Sequence, residues 1–398
     1  MNEKQFEALN VVKSGKNLFL TGSAGTGKSY TLKAIIDYLS SNNINYGVTA
    51  LTGCAAVLIN GQTIHSFLSL GISRNLRDIY NNLCKFKSSL MKIKNLQTLI
   101  IDEISMMDDE LFNLINNLLM MVKNTDNYFG GVQMILVGDF HQLPPIKGEY
   151  CFLSEAWEKI NLTTVILTEL IRQKDDNKLQ LILEEIRNGQ PCDETIEILK
   201  NLKDTKFKSK DIKPTRLYPI NINVDKINNR EFQKLLKKNG NITVEYKAFS
   251  NKAEKTDTYD VILTIGAQIM VIRNISIIDK LFNGTRGVVV ELNKDNVIIK
   301  DIYDNLHTIE YYTDLSQDKK RSISFIPLKL AYAMSIHKSQ GASIDYLEID
   351  LGDDIFISGQ LYTALSRATN INNIRIINIS KDSFIQNKKV KNFYELKK

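Results

Sequence analysis

Between Asn17 and Leu39 an apolar run (NLFLT) leads into a glycine loop, and the loop into a segment with Leu32, Ile35, Ile36 and Leu39 at helical spacing. The loop, Gly22 to Ser29, is a complete G-x-x-x-x-G-K-S. A buried strand, that loop and an amphipathic helix in this order demand a parallel sheet with helices on its faces. Glycine lets backbone N–H groups turn inward around a polyphosphate at the positive end of the following helix. Gly22, Ser23, Ala24, Gly25, Thr26 and Gly27 would form the cradle, with Tyr30 closing the nucleotide-binding stretch. Lys28 would neutralise the β- and γ-phosphates, and the Ser29 hydroxyl would ligate Mg²⁺.

A chain of 398 residues is long for one core, so two or three domains are expected. It is 43% hydrophobic and 24% charged, without an apolar run long enough to span a membrane. The N-terminus lacks a signal-peptide core, so an intracellular protein of cytoplasm or nucleus is expected, not a secreted one. Cys54, Cys84, Cys151 and Cys192 lie far apart with no C-x-x-C, as reduced thiols do. His65, His141, His307 and His337 form no spaced metal cluster. A net charge of +6 permits a polyanionic partner without demanding one.

Strands alternate with helices along the chain, at Asn45–Thr49, Thr98–Ile101, Gln133–Val137, Thr164–Leu167, Arg216–Tyr218, Leu347–Asp350 and Ile374–Asn378. Between Val261 and Ile326 short strands follow one another with no helix between them, which predicts a small β-barrel set into the second α/β unit. A smaller insertion is expected over 71–94. The basic C-terminal segment NKKVKNFYELKK reads as a solvated end.

Two further motifs carry chemistry. "LQTLIIDEISMMD" ends a buried strand in Asp102 and Glu103, at the sheet edge that faces the phosphate loop. Asp102 would hold Mg²⁺, and Glu103 is placed to polarise a water as general base. "VQMILVGDFHQLPPI" ends a second such strand, and Gln142 can hydrogen-bond the γ-phosphate or the attacking water. Pro144 and Pro145 would stiffen the loop beyond it.

These motifs, together with "TALTGCAA", "GQTIHSFLSLGI", "LTELIRQ", "FNGTRGVV", "AYAMSIHKSQGASID" and "YTALSRAT", resemble the PIF family (petite integration frequency) of superfamily 1B DNA helicases. The resemblance runs from about Gln5 to Thr369. It implies an α/β protein of two RecA-like parallel-sheet domains with a small SH3-like β-barrel inserted in the second. The expected divisions are 1–163 for the first domain, 164–281 with 327–398 for the second, and 282–326 for the barrel.

The activity implied is that of an ATP- and Mg²⁺-dependent motor that translocates 5′ to 3′ on single-stranded DNA without preference for a sequence and unwinds forked duplexes as a monomer. Gln5 matches the family's adenine-reading glutamine, and an amide can pair with the N6/N7 edge. Arg172 and Arg367 match arginines that reach the γ-phosphate from across the cleft, where guanidinium donates bidentate hydrogen bonds. Thr52, Gly53, Thr63 and His65 would grip a DNA backbone. Phe67 would either stack a base or fill core. Ser335, His337 and Lys338 are assigned to DNA gripping, and Gln340 and Gly341 to the nucleotide. Three other readings stay open: a nucleotide switch or small-molecule kinase, a binding or scaffold protein with a degenerate ATPase site, and a translocase acting mainly on RNA or RNA–DNA hybrids.

Overall fold

The computed structural model describes all residues except 72–74, 174–175, 208–211, 220–221, 252–255, 274, 277–278, 280, 282, 316–321, 351–356, 380 and 398. The strand before the phosphate loop, Asn17–Gly22, lies between Gln133–Val137 and Leu162–Leu167 in a six-stranded parallel sheet. Thr98–Asp102, Tyr46–Ala50 and Gln62–Thr63 continue the sheet beyond Gln133–Val137. Leu18, Phe19 and Leu20 are fully buried, as befits a strand covered on both faces. The helix Lys28–Ser41 turns Thr31, Leu32, Ile35 and Leu39 onto this sheet. Two short helices, Leu76–Lys85 and Lys87–Lys94, occupy the region expected as a small insertion and bury Ile79, Leu83 and Ile93 in a separate core with Phe19, Leu99 and Ile101, on the other face of the sheet.

A second parallel sheet orders its strands Ala333–Ser335, Thr215–Tyr218, Leu347–Asp350 and Ile374–Asn378. Inserted in it, Leu306–Glu310, Asn296–Asp301, Arg286–Leu292, Gln268–Val271 and Leu328–Leu330 form an antiparallel sheet. Its apolar side has its own core, including Val289, Val297, Ile299 and Ile309.

Three expectations need correction. The first domain extends beyond residue 163, because the whole strand Leu162–Leu167 pairs with Asn17–Gly22. The β-rich insertion begins before residue 282 and ends after 326, since Gln268–Val271 and Leu328–Leu330 supply two of its strands. The C-terminal segment is not a solvated end. Its helix, Lys388–Glu395, buries Val390, Phe393 and Tyr394 in the first domain's core. Phe393 packs against Phe19, Phe140, Phe152 and Trp157, with ring centroids 4.4–6.0 Å apart. Such aromatic pairs contribute about 0.5–1.5 kcal/mol each beyond their buried area. Among the described residues no helix is long and apolar enough to cross a membrane.

Candidate nucleotide cleft and DNA-facing loops

The phosphate loop opens into a cleft of about 690 Å³, a size that suits a nucleotide. Its first-domain walls include Gln5, Lys28, Ser29, Tyr30, Glu103 and Gln142; Gly341, Ser343 and Arg367 face them from the second, with Arg172 on the connection between the two. The Lys28 ammonium donates to the carbonyls of Gly22 (2.7 Å) and Ser23 (3.0 Å). Burial pushes its pKa down, partly offset by Asp139, Glu103 and Asp102. A triphosphate would replace those carbonyls with stronger, charged acceptors. Gly25 has φ +86°, and a Cβ there would stand 2.8 Å from both the Arg172 Cβ and the Gln173 Oε1. The loop therefore touches the connection so closely that only glycine fits.

Asp102 Oδ1 accepts the Glu103 N–H (2.9 Å), and Glu103 takes the left-handed conformation (φ 55°). With this unusual backbone Glu103 lines the cleft, and Asp102 lies within electrostatic reach of Lys28. Burial, then Glu103, pushes the Asp102 carboxyl up to about 7. Burial also raises Glu103, against the pull of Arg367 and Lys28. Both carboxylates thus lack a full complement of counter-charge, as a site built for a cation and a water would.

Among the described residues, five glutamines have buried polar atoms without a hydrogen-bond partner, and four of them line the cleft or adjoin a residue that does: Gln5 Nε2, Gln142 Oε1, Gln173 Oε1 and both ends of Gln340. Buried polar groups are normally paired, so these orphans around a cleft fit a polar ligand. Gln5 already accepts the Asn2 N–H through Oε1 (3.0 Å), which leaves its Nε2 to meet an adenine nitrogen. Ser29 and Asp102 would hold Mg²⁺, whose charge suits that carboxylate.

Arg172 donates to the Ser366 carbonyl (2.8 Å). Arg367, 2% exposed, donates to Thr363 O (3.0 Å), Ser339 O (3.3 Å) and Ser366 Oγ (2.8 Å). The guanidinium is thereby fixed in the second domain beside Glu103. Gln173 adds a bond to the Ala368 carbonyl (2.9 Å), so the short IRQ stretch holds this loop at two points.

The DNA-assigned residues separate into two groups. Thr52, Gly53, Thr63, His65, His337 and Lys338 are exposed or half-buried on loops and short helices at the strand edges. Thr63 Oγ1 caps the short helix Ile64–Phe67 through the Ser66 N–H, and Thr52 Oγ1 accepts from Ala55. Burial pushes the His337 imidazole down. Phe67 is core: it is 3% exposed and fills the space over Gly47, where a Cβ would collide with its ring. Ser335 is likewise internal at 1% exposure, its Oγ accepting the Lys338 N–H (3.3 Å). Neither side chain is placed to touch DNA. Ala24 lines the nucleotide cleft, and its N–H donates to the Tyr362 hydroxyl (2.8 Å).

Several residues around the site were not singled out from the sequence: Gln173, and a cluster of Asp139, Arg187, Tyr362 and Tyr394. Gln173 and Tyr362 lay inside quoted motifs without a role. Tyr394 was hidden by the lysines around it, although Val390, Phe393 and Tyr394 have the spacing of a buried helical stripe.

One nucleotide in this cleft would touch both parallel sheets, which defines a two-domain phosphate-loop NTPase. A family model described as PIF1-like helicase matches residues 1–211, and one described as DNA helicase Pif1, 2B domain, matches 260–292. The chain belongs to the PIF1-like helicase family. It is 34% identical over 420 residues to the ATP-dependent DNA helicase PIF1 of Xenopus laevis, across 99% of this chain and 64% of that one. To the ATP-dependent DNA helicase Pif1 of Bdellovibrio bacteriovorus it is 32% identical, across 99% and 92%. The chain thus spans under two thirds of the vertebrate relative. The crystal structure of Bacteroides sp Pif1 with ADP-AlF4 superimposes with a TM-score of 0.84 at 27% identity, over 99% of this chain and 96% of that one. The Bacteroides structure with ADP-AlF3 and ssDNA gives 0.70 at the same identity and coverage.

Proposed function

We propose that this chain is an ATP-driven DNA motor that moves 5′ to 3′ along a single strand and separates duplexes at forks, serving replication, repair or recombination. The observation that carries the reading is the shared cleft, in which Lys28, Glu103 and Gln142 of one domain face Arg367 and Gly341 of the other. Lys28 neutralises phosphate charge. Glu103 takes the proton of the attacking water, which Gln142 orients. Arg172 and Arg367 stabilise charge on the transferring phosphoryl group from the second domain's side. Mg²⁺ held at Ser29 and Asp102 would neutralise charge on the phosphates.

Because phosphate contacts come from both domains, binding favours a closed cleft and loss of the γ-phosphate releases it. Thr52, Thr63 and His65 on one domain, and His337 and Lys338 on the other, would hold the DNA backbone in turn. Contacts of this kind read no sequence. The antiparallel insertion, expected to be SH3-like, would help enclose the strand. The free thiols of Cys84, Cys151 and Cys192 support a reducing compartment, cytoplasm or nucleus. We take the working unit to be a monomer.

Steady-state ATPase activity with single-stranded DNA, with RNA and with neither tests the reading. Strong stimulation by DNA is expected. Stimulation by RNA alone would make the chain an RNA translocase, and turnover indifferent to both would make it a switch or kinase.

A further inference from the structure

Behind the phosphate loop, one carboxylate gathers groups from three separated parts of the chain. Asp139 is fully buried and pairs with Arg187 through Oδ1 to Nη2 (3.0 Å) and Oδ2 to Nε (3.3 Å). Arg187 ends the helix Asn177–Arg187, which packs in the second domain's core through Leu179, Ile182, Leu183 and Ile186. Tyr362, on the helix Gln360–Leu365 that leads to Arg367, donates to Asp139 Oδ2 (3.2 Å) while accepting the Ala24 N–H. Tyr394, from the C-terminal helix, places its hydroxyl 3.4 Å from Asp139 Oδ1. That hydroxyl also meets Thr21 Oγ1 (2.7 Å) and accepts the Phe140 N–H (3.2 Å).

The partners divide by domain. Arg187 and Tyr362 reach Asp139 from the second-domain core, and Tyr394 is anchored in the first. Although burial opposes its charge, Arg187, with His141 and Lys28, holds Asp139 well below the usual carboxylate range. Burial, then Asp139, pushes both phenols up, so each hydroxyl keeps a proton to donate. The Tyr394 ring is itself fixed, stacked on His141 (centroids 4.8 Å, 14° between planes) with the Arg187 guanidinium 5.4 Å from its centre. Parting the two domains has to break the Arg187 and Tyr362 bonds to Asp139, whereas the Tyr394 hydroxyl's contacts with Asp139, Thr21 and Phe140 can stay. Tyr394 therefore orients the acceptor on which the interdomain contacts depend.

We propose that Tyr394 is a positioning residue, and that the C-terminal helix is a strap that presents Asp139 to Arg187 and Tyr362 and so holds the nucleotide cleft in its closed arrangement. This rests on the motor reading for the use of closure, but not for its existence. ADP can be held largely by the phosphate loop, whereas a complex mimicking the transferring phosphoryl group also needs the second domain's arginines.

The test is calorimetric titration of the full chain with ADP and with ADP–aluminium fluoride, in the presence of Mg²⁺. Tyr394→Phe keeps the ring and removes only the hydroxyl. It should leave ADP affinity within a factor of two and weaken ADP–aluminium fluoride about fivefold, the scale of one lost hydrogen bond. Tyr362→Phe should act in the same direction, and the double variant should lose less than the product, because both act through Asp139. Phe393→Leu, which disturbs packing of the same helix, should lower the thermal midpoint and leave the ratio of the two affinities unchanged. A wild-type ratio in Tyr394→Phe, or an equal change in Phe393→Leu, overturns the proposal. An ATPase that ignores DNA in the wild type would end the motor reading, while the affinity ratio would still decide the role of Tyr394.

Discussion

Arg172 donates through Nη1 to the carbonyl of Ser366, 2.8 Å away, and Ser366 is the neighbour of Arg367 in the chain. The two arginines of the cleft are therefore mounted together. Removing Arg172 takes away a cation and also one support of the loop that carries the other. Arg172→Ala and Arg367→Ala should each keep much of the ATP affinity and lose hydrolysis by about 10³-fold, the order of an arginine-finger loss. The double variant should be little worse than either single one. Arg367→Lys should rescue little, as an ammonium has one nitrogen and cannot reach the three acceptors that Nε, Nη1 and Nη2 of the guanidinium hold. Steady-state ATPase paired with nucleotide affinity measures this, and near wild-type, DNA-stimulated turnover in either single variant would remove that arginine from the chemistry.

The first domain's two charged groups should separate by phenotype. Lys28→Ala removes phosphate neutralisation from ground and transition states alike, so ATP binding and turnover both fall. Glu103→Gln keeps the shape of the side chain and removes the base, so ATP should bind and persist. Comparable ATP affinity in the two variants would contradict these roles.

Asp139 gives a pH-dependent prediction. Its folded carboxyl is held below its unfolded value, so its contribution to stability is complete above the ordinary carboxylate pKa of about 3.9. As pH falls below that, the unfolded chain takes up the proton first and the contribution is lost. Asp139→Asn leaves Arg187 with its charge unpaired and should cost about 3 kcal/mol at pH 7. Urea melts at pH 7 and pH 3 check this. The gap between wild type and variant should narrow at pH 3, and an equal gap at both would refute the assignment.

Gly359 marks where the second domain meets the loop that carries Gln142. It has φ +85°, and a Cβ there would lie 2.6 Å from the His141 carbonyl and closer still to that of Gln142. Gly359→Ala should force the domains apart at this point and reduce hydrolysis by roughly ten- to a hundredfold, because small misplacements of catalytic groups have large rate effects. ADP affinity should change little. Unaltered turnover would show that the loops do not need this approach.

What the sequence disclosed follows from how local each signal is. The phosphate loop, Asp102 and Glu103 are defined by contiguous residues at strand ends, so their placement could be read without knowing the fold. The division at 163 and the limits of the insertion were displaced because strand pairing decides them: Leu162–Leu167 looks the same whichever sheet it joins. Phe67 fits either a stacking platform or a core position until Gly47 appears beneath it. Ser335 sits inside a motif whose neighbours face the ligands, yet its side chain turns inward. The C-terminal helix was misread because lysines dominate its composition while three buried residues decide where it docks.

On the reading proposed above, closure of this cleft drives the chain 5′ to 3′ along single-stranded DNA. Unwinding of matched partial duplexes bearing either a 5′ or a 3′ single-stranded tail, with ATP and Mg²⁺, tests it most directly. Strand separation is expected only from the 5′ tail, and Glu103→Gln should abolish it. Equal or greater unwinding from the 3′ tail would contradict the reading.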